Sequence, residues 1–363
     1  LFIRSFLAAN RFNPGFNPRH VLLESYDLFA SGYGKADSDV FNNQVLRNVE
    51  ALPGVRSAAL ADWVPLGYSN NTDDFVPEGY VAAKHEDINA GMNHVSPAYF
   101  ATMQIPLQRG RDFTAQDDAK SQPVVIINQA LAQRYWPHQD PIGKRLKVEA
   151  KWATVIGVAR TTDYYDLKET PQPFLYLPLA QFYSPRVILH VRTADNALGL
   201  AGAVEQAIHQ LNAGLPVFAV NTLEARTQAA SSVQRLAGAL AGVFGLLALV
   251  LAAVGIYGVI AYSARQRTHE IGIRMALGAR PDDVLRMVLG QGARLALVGV
   301  VIGLAASFAV TRLMTGILFG VSATDPLTFA GVAILLALVA LAACYIPARR
   351  AMRVEPTVAL RCE

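Results

Sequence analysis

A few residues in this chain have types and spacings that could support chemistry. Residues 31–37, SGYGKAD, lie between a predicted strand and a predicted helix, as a dinucleotide-binding loop would. Asp37, however, stands where such a loop needs its third glycine, so we interpret the segment as a turn. His85-Glu86 and His269-Glu270 each begin the zinc pattern HExxH, but neither has the second histidine. These patterns predict no metal site and no nucleotide site.

The sequence also lacks the patterns expected of a catalytic subunit. It contains no GxSxG nucleophile elbow and no GxxxxGK[ST] phosphate-binding loop. We therefore expect no catalytic residue, no metal and no cofactor, and any ATP chemistry must come from another chain.

The most specific segment is an arginine-rich stretch at residues 265–283, RQRTHEIGIRMALGARPDD. It reads as two short helices, the first over 264–277 with Gly278 as its stop, the second beginning at Pro281. One reading is a basic connector lying on anionic lipid headgroups. The other is a rigid contact element for a cytoplasmic partner, and the residues alone leave both open.

Long apolar runs surround this stretch and indicate a membrane protein. Leu236 to Tyr262 is 27 residues without a charge, and Leu327 to Ile346 is 20. A helix needs about 20 apolar residues to cross a bilayer core. A third run, 295–311, is uncharged and followed by Arg312, whose long side chain can reach the interface. The sequence predicts three transmembrane α-helices.

Charge distribution gives the orientation of these helices. Residues 1–235 have a net charge of −1 and residues 236–363 of +5. The surplus lies beside apolar runs, so the positive-inside rule explains it better than a nucleic acid partner does. Residues 263–294 and the tail are predicted to be cytoplasmic, and the 320–326 connector and the first 235 residues outside. Because three helices cannot carry that domain across by themselves, we expect an earlier span and a longer protein.

Small residues recur at helix-packing spacing within two of these predicted spans. Gly238 and Gly242 form one GxxxG pattern, and Gly299 and Gly303 form another. Such pairs let helices approach closely, although glycine is also generally frequent in membrane helices.

The first 235 residues predict an α+β domain. Strands are expected at 21–28, 55–61, 186–192 and 216–220, with helices at 39–52 and 196–211. These form two β-α-β units on either side of an insertion at about 65–182, which suggests a split ferredoxin-like layer. Within the insertion, strands are predicted at 123–127 and 151–159, and Asn128 is predicted to cap a helix over 129–136. Asn221, with Glu224, is predicted to cap a last helix that continues into the first span.

The arginine-rich stretch resembles the coupling segment of MacB/FtsX-like ABC transporter permeases. The tail 347–361 and four outer segments (110–113, 124–128, 130–137 and 140–145) resemble the same family. Residues 4–16 resemble the opening of the second half of duplicated Acidobacterial permeases. By this resemblance, ATPase coupling is expected at ten residues: Glu270, Ile271, Gly272, Ile273, Arg274, Met275, Ala276, Leu277, Gly278 and Ala279.

The resemblance implies the following organisation along the chain. Residues 1–20 leave a missing transmembrane helix, and 21–222 form an extracytoplasmic MacB-type domain. The rest comprises a connecting and transmembrane helix (223–262), the coupling loop (263–292), a helix (293–319), an outer connector (320–326), a helix (327–346) and a cytoplasmic tail (347–363).

The function implied is that of a permease subunit in the inner membrane, for efflux or export. Its partners would be a cytoplasmic ABC ATPase in trans, membrane lipid, and either a second permease copy or the N-terminal half of the same permease. A non-transporting transmembrane regulator, or a sensor with a ligand- or protein-binding outer domain, would carry the same motifs and stays open.

Overall fold

The computed structural model describes residues 14–66, 71–81, 86, 88–165, 169–230, 232–266, 273, 286, 290, 293–294, 297–307, 309 and 326–351. Most of the predicted coupling loop, the connector up to residue 325 and the tail after residue 351 lie outside these residues. So does the predicted exit segment before residue 14.

The chain divides into two compact units, which we describe separately. One unit is Phe12–Val233, here called the outer domain, and the other contains the helices described from Gln234 onward. Eleven strands are present among the described residues of the outer domain: β1 Val21–Asp27, β2 Val55–Ala61, β3 Thr72–Pro77, β4 Asn89–Val95, β5 Leu107–Gly110, β6 Val124–Asn128, β7 Arg145–Val148, β8 Lys151–Ala159, β9 Phe174–Pro178, β10 Arg186–Thr193 and β11 Val217–Thr222. Its helices are α1 Lys35–Glu50, α2 Tyr99–Met103, α3 Gln129–Tyr135, α4 Ala201–His209 and α5 Leu223–Ala230.

Four strands form the first part of the outer domain, the β-α-β layer. Their order is β11-β1-β10-β2, and every neighbouring pair is antiparallel. Helices α1 and α4 share one core with these strands, in which Val45 and Val204 join Leu22 and Leu189. Helices α2 and α5 contact the strands as well, so β1 is buried along almost its full length.

The remaining strands form the second part, a closed barrel. Around the ring the order is β4-β3-β7-β8-β6-β9, and β9 pairs with β4 again. Strand β5 pairs with the last three residues of β8, Gly157 to Ala159. Phe75, Ile127 and Leu175 fill the interior, and α3 adds Leu131 to the same core. Closure of the ring removes the unpaired edges that an open sheet would expose.

Among the described residues, strand pairing between the barrel and the layer is limited to one residue pair. A single pair, Ala61 with Val95, connects β2 to β4. The backbone N–H of Asp62 extends this contact by donating to the carbonyl of His94 at 3.1 Å.

Most predicted elements of the outer domain lie where the sequence places them. Strands β2 and β8 have the predicted bounds, and Asn128 caps α3 by accepting from the backbone N–H of Leu131 at 2.9 Å. Helix α1 begins at Lys35 rather than at residue 39. The prediction missed its first turn, because that turn is polar and carries no apolar periodicity. The predicted helix 196–211 is a 3-10 turn, Leu198–Leu200, followed by α4.

The predicted cap of α5 is wrong by one residue. Asn221 is still paired with Leu23 in β11, and its side chain accepts from the N–H of Thr222. Thr222 is the cap instead, because its Oγ1 accepts from the N–H of Ala225 at 3.1 Å. Glu224 is then the second helical residue, one position too early for the predicted reciprocal bond.

The second unit contains three described helices: α6 Ser232–Gln266, α7 Leu297–Ser307 and α8 Pro326–Ala351. Gly242–Ser263 in α6, with 22 residues, is the one described segment long and apolar enough to cross a membrane. Its apolar side chains are exposed, as Leu251 shows with 71% of its surface accessible. Apolar segments Leu297–Ser307 and Ala330–Tyr345 are shorter, so the second and third spans stay predictions.

Candidate functional site: the connection end of the outer domain

The structure describes one of the ten predicted coupling residues. Ile273 is helical with 41% of its side chain exposed, and Glu270, Ile271, Gly272 and the segment 274–279 lie outside the described residues. Their role in coupling stays a prediction.

The predicted helix-packing glycines lie on two helices. Gly238 and Gly242 are in α6, and Gly299 and Gly303 are in α7. Among the described residues, a methyl group placed on Gly242, Gly299 or Gly303 would meet no atom within 4 Å beyond the backbone of its own helix. The packing role stays a prediction.

The turn at residues 31–37 does not have the geometry of a dinucleotide-binding loop. Gly32 has φ +83° in the turn, and Gly34 directly precedes α1. Strand β1 pairs antiparallel with both of its neighbours, whereas a dinucleotide-binding unit is built on parallel strands. Among the described residues, no group of three or more His, Cys, Asp or Glu side chains is placed to hold a metal ion.

The feature that does link the outer domain to the rest of the chain is the end of the sheet where β1 begins and β11 ends. Leu22 lies opposite Thr222 across the antiparallel β1–β11 pair. The chain therefore enters and leaves the outer domain at the same end of two adjacent strands. We call this the connection end.

A buried arginine holds the incoming chain at the connection end. The Arg192 guanidinium donates to three carbonyls: Nε to Thr102 at 2.6 Å, and NH1 and NH2 to Arg19 and Asn17, each at 2.8 Å. Burial lowers the pKa of Arg192, and the charge of Arg56 lowers it further. The planar guanidinium spreads five donors over three nitrogens in a fixed fork and so reaches three separate carbonyls, whereas an ammonium carries its three donors on one nitrogen.

Two further contacts fix the last residue before β1. His20 accepts a backbone bond from Thr193 at 2.9 Å, and its ring Nδ1 is 2.7 Å from the carbonyl of Asp195. Together with the Arg192 bonds, these contacts join the incoming segment to β10 through side chains as well as backbone.

The outgoing chain is held by α5. Leu223, its first residue, is fully buried, and α5 contacts both β1 and β11. Thr222 caps this helix, so the helix begins directly at the end of the strand. A displacement of α5 would therefore act directly on the β1–β11 pair.

His190 lies beneath this end in a fully buried position. Its ring contacts Tyr99 edge-on, and its Nδ1 is 2.9 Å from the carbonyl of Ile188. Burial, together with the charge of Arg226 on α5, lowers the pKa of His190 to about 4. The ring is neutral at neutral pH, which suits a site that faces a cationic side chain.

Sequence reasoning did not identify Arg192 or His190 as parts of a site. Both lie within the strand predicted at 186–192, where a period-two pattern assigns only the alternation of faces. A charged residue in an otherwise apolar strand was the available signal, because buried arginines require partners.

The outer domain is held at both chain connections and is followed by an apolar helix long enough to span a bilayer. Comparison with known proteins gives the family. Residues 13–211 match the MacB-like periplasmic core domain, and residues 242–356 match the FtsX-like permease C-terminal domain. The chain belongs to the MacB/FtsX-like ABC transporter permease family, whose members are inner-membrane proteins with a periplasmic domain.

Individual relatives agree with this assignment. The chain is 31% identical over 295 residues to a probable syringafactin export ATP-binding/permease protein of Pseudomonas syringae, covering 77% of this chain and 43% of that protein. It is 29% identical over 292 residues to the macrolide export ATP-binding/permease protein MacB of Rhodospirillum rubrum, covering 76% and 44%. The chain thus spans less than half the length of these relatives.

A solved structure is also similar. The crystal structure of the periplasmic region of MacB from Actinobacillus actinomycetemcomitans aligns with this chain at a TM-score of 0.40 and 16% sequence identity. The alignment covers 60% of this chain and 95% of that one.

Proposed function

We propose that this chain is a permease subunit that transmits motion from a separate cytoplasmic ATPase to its outer domain, for efflux or export. The observation that carries the proposal is the connection end, where Leu22 and Thr222 lie opposite each other. Because both chain connections meet on one strand pair, a relative shift of the preceding and following segments would act across β1 and β11.

The sequence and the relatives support an ATP-binding unit that lies outside the residues of this chain. The chain has no phosphate-binding loop, while the printed names of the relatives combine ATP binding with a permease. We propose that ATP is hydrolysed by a cytoplasmic ABC ATPase acting in trans, and that the 263–292 loop, with Glu270 to Ala279, contacts it. A second permease copy or the N-terminal half of the same permease would complete the membrane part, with Gly238, Gly242, Gly299 and Gly303 at helix contacts in lipid.

The finer description of the fold is part of the same proposal. The strand order β11-β1-β10-β2, with α1 and α4 on one face, supports a split ferredoxin-like layer whose barrel is an insertion. Three membrane spans and a periplasmic outer domain complete the predicted arrangement.

The test uses the whole chain in nanodiscs with a candidate ATPase encoded beside it. An environment-sensitive fluorophore is attached at Phe218→Cys on exposed β11, after Cys344→Ser and Cys362→Ser remove both native cysteines. We expect ATP to change the fluorescence. A four-residue Gly/Ser insertion after Ala230 should abolish that change while the ATPase still co-purifies.

The control is the same insertion after Val81, an 89% exposed residue between β3 and β4, which should leave the ATP response intact. A fluorescence response to an added ligand with no ATPase present, and none to ATP, would instead assign the chain to the sensor class.

A further inference from the structure

The junction between the layer and the barrel contains a charged cluster, centred on a buried histidine, that the proposed function does not use. His94 on β4 lies between two carboxylates. Its Nδ1 is 2.6 Å from Oδ2 of Asp62, directly after β2, and its Nε2 is 2.7 Å from Oε1 of Glu149, between β7 and β8. The three side chains therefore come from the end of a layer strand, a barrel strand and the tip of a barrel hairpin.

The geometry requires a protonated imidazole. A carboxylate can only accept, so both ring nitrogens must donate, which only the imidazolium can do. The backbone N–H of His94 donates to the other oxygen of Asp62 at 2.9 Å, fixing that carboxylate. The side chains of His94 and Asp62 are 8% and 10% exposed, whereas Glu149 is 34% exposed. Glu149 is therefore the side chain of the three that can move away from His94 into solvent.

The backbone at the hairpin tip is unfavourable for its sequence. Val148 pairs with Lys151, which leaves a two-residue turn of Glu149 and Ala150 with φ of +44° and +62°. Turns of this type favour Asn-Gly, because residues with a Cβ are strained at positive φ. Neither residue suits the turn, so the Glu149 bond to His94 helps to hold a tip that the local sequence does not favour.

The backbone contact at the junction is also small. Besides the Ala61–Val95 pair, Asp62 and Ser96 make backbone bonds across it, the latter by donating its N–H to Leu60 at 2.9 Å. The Asn93 side chain also bonds the backbone of Trp63, and the Trp63 ring packs against Tyr164 and Phe174. The charged cluster lies beside these contacts and adds to them.

We propose that Asp62, His94 and Glu149 form a latch that holds the hairpin tip and the barrel to the β-α-β layer, and that loss of the His94 charge opens it. The latch needs no ATPase and no ligand. While it is closed, the layer and the barrel move as one body.

The pH window follows from the charges that face the latch. Burial lowers the pKa of His94, but the bonds to Asp62 and Glu149 outweigh burial and raise it to about 9. His94 lowers the pKa of Glu149, with a smaller contribution from Lys151 on β8. Among the described residues, Tyr99 of α2 is a further titratable group that faces Asp62, and burial raises its pKa. A base whose pKa is raised on folding stabilises the folded form fully below its unfolded value of 6.5 and loses that effect as pH rises through about 9. The latch is therefore closed at neutral pH and opens in alkali.

The experiment measures the distance between the two parts in the whole chain in nanodiscs. Spin labels are placed at Val40→Cys on α1 and Gln133→Cys on α3, both exposed, in the Cys344→Ser/Cys362→Ser background. We expect a narrow distance distribution at pH 7 that broadens above pH 9. Glu149→Gln should be broad already at pH 7, with at least tenfold faster amide exchange at residues 149–151.

Ala150→Gly is the matched control at the same turn. It relieves the strain but keeps the Glu149 carboxylate, so its distribution should stay narrow at pH 7. The proposal is overturned if Glu149→Gln is as narrow as the parent at pH 7, or if the parent shows no broadening between pH 7 and 10. The pH series is measured on the parent, without a latch variant, so it tests the proposal even if Glu149→Gln fails to fold.

Discussion

Leu22 on β1 and Thr222 on β11 lie directly opposite each other, at the end of the sheet where the chain enters and leaves the outer domain. Arg192 holds the entry by bonding to backbone carbonyls, and α5 holds the exit by packing on both strands. The connection end is thus a pair of fixed attachments on one strand pair.

Arg192 should be the most sensitive residue of the connection end. In residues 12–230 expressed alone, Arg192→Ala leaves three carbonyls without their donor and should lower the free energy of unfolding by about 2–4 kcal/mol. Arg192→Lys should recover part of this loss. Arg186→Ala removes an exposed ion pair with Asp27 at 3.4 Å and should cost about 1 kcal/mol or less. Urea titration measures all three, and equal losses for Arg192→Ala and Arg186→Ala would contradict the clamp.

Two glycines in the segments that resemble the family should respond differently to the same substitution. Gly110 has φ +74°, and a Cβ there would collide with the carbonyl oxygen of Ile156. Gly143 has φ +83° with open space around it. We expect Gly143→Ala to cost about 1–2 kcal/mol through backbone strain alone, and Gly110→Ala clearly more. Thermal unfolding of residues 12–230 decides this, and a milder effect at Gly110 would show that β5 does not lie against β8 as described.

Glu24 should make the stability of the outer domain depend on pH. It is fully buried in the layer, and neither carboxylate oxygen has a hydrogen-bond partner among the residues that the structure describes. Burial, with a contribution from Glu205, raises its pKa from 4.5 to about 8. Because a raised acid pKa means that the folded form holds its proton longer, stability from this group falls as pH rises from 4.5 to 8.

Glu24→Gln removes this titration. Its melting temperature relative to the parent should therefore rise steadily between pH 5 and 8. Taking the difference at each pH cancels the contributions of His94 and His190, which titrate in both proteins. A difference that stays constant across this range would mean that Glu24 is not buried as a neutral acid.

Orientation of the membrane part can be tested by cysteine labelling in whole cells. In the Cys344→Ser/Cys362→Ser background, Ala323→Cys should react with an impermeant maleimide from outside, and Thr268→Cys only after the membrane is opened. Six arginines in 263–294 against none in 320–326 are the reason for this expectation. Labelling of Thr268→Cys from outside would invert the proposed topology.

The sequence predicts single strands and caps better than the closure of the barrel. Strand β2 and the Asn128 cap follow from local patterns, because alternation and capping act within a few residues. The hairpin of β7 and β8 could not be predicted, since Glu149-Ala150 is not a turn sequence and is held by the distant His94. Closure of the barrel depends likewise on the non-local pairing of β9 with β4, which leaves no local signal.

The connection end shows the same limit. Arg192 lies in a correctly predicted strand, but its partners are carbonyls of residues 17, 19 and 102, far away in the chain. Local patterns give the strand and its faces, while partner identity follows only from the packed structure.

The central claim is that a separate ATPase is coupled through the shape of the 263–292 loop. Its most direct test is the stimulation of a candidate ATPase by the whole chain in nanodiscs, compared between Gly278→Val and Arg280→Gln. We predict that Gly278→Val abolishes stimulation and co-purification, because a β-branched residue is costly in the left-handed conformation of a helix stop. Arg280→Gln should retain most of both, since one exposed charge contributes about 1 kcal/mol or less. Unchanged stimulation with Gly278→Val, together with its loss in Arg280→Gln, would contradict rigid coupling and show that the loop acts through its charge.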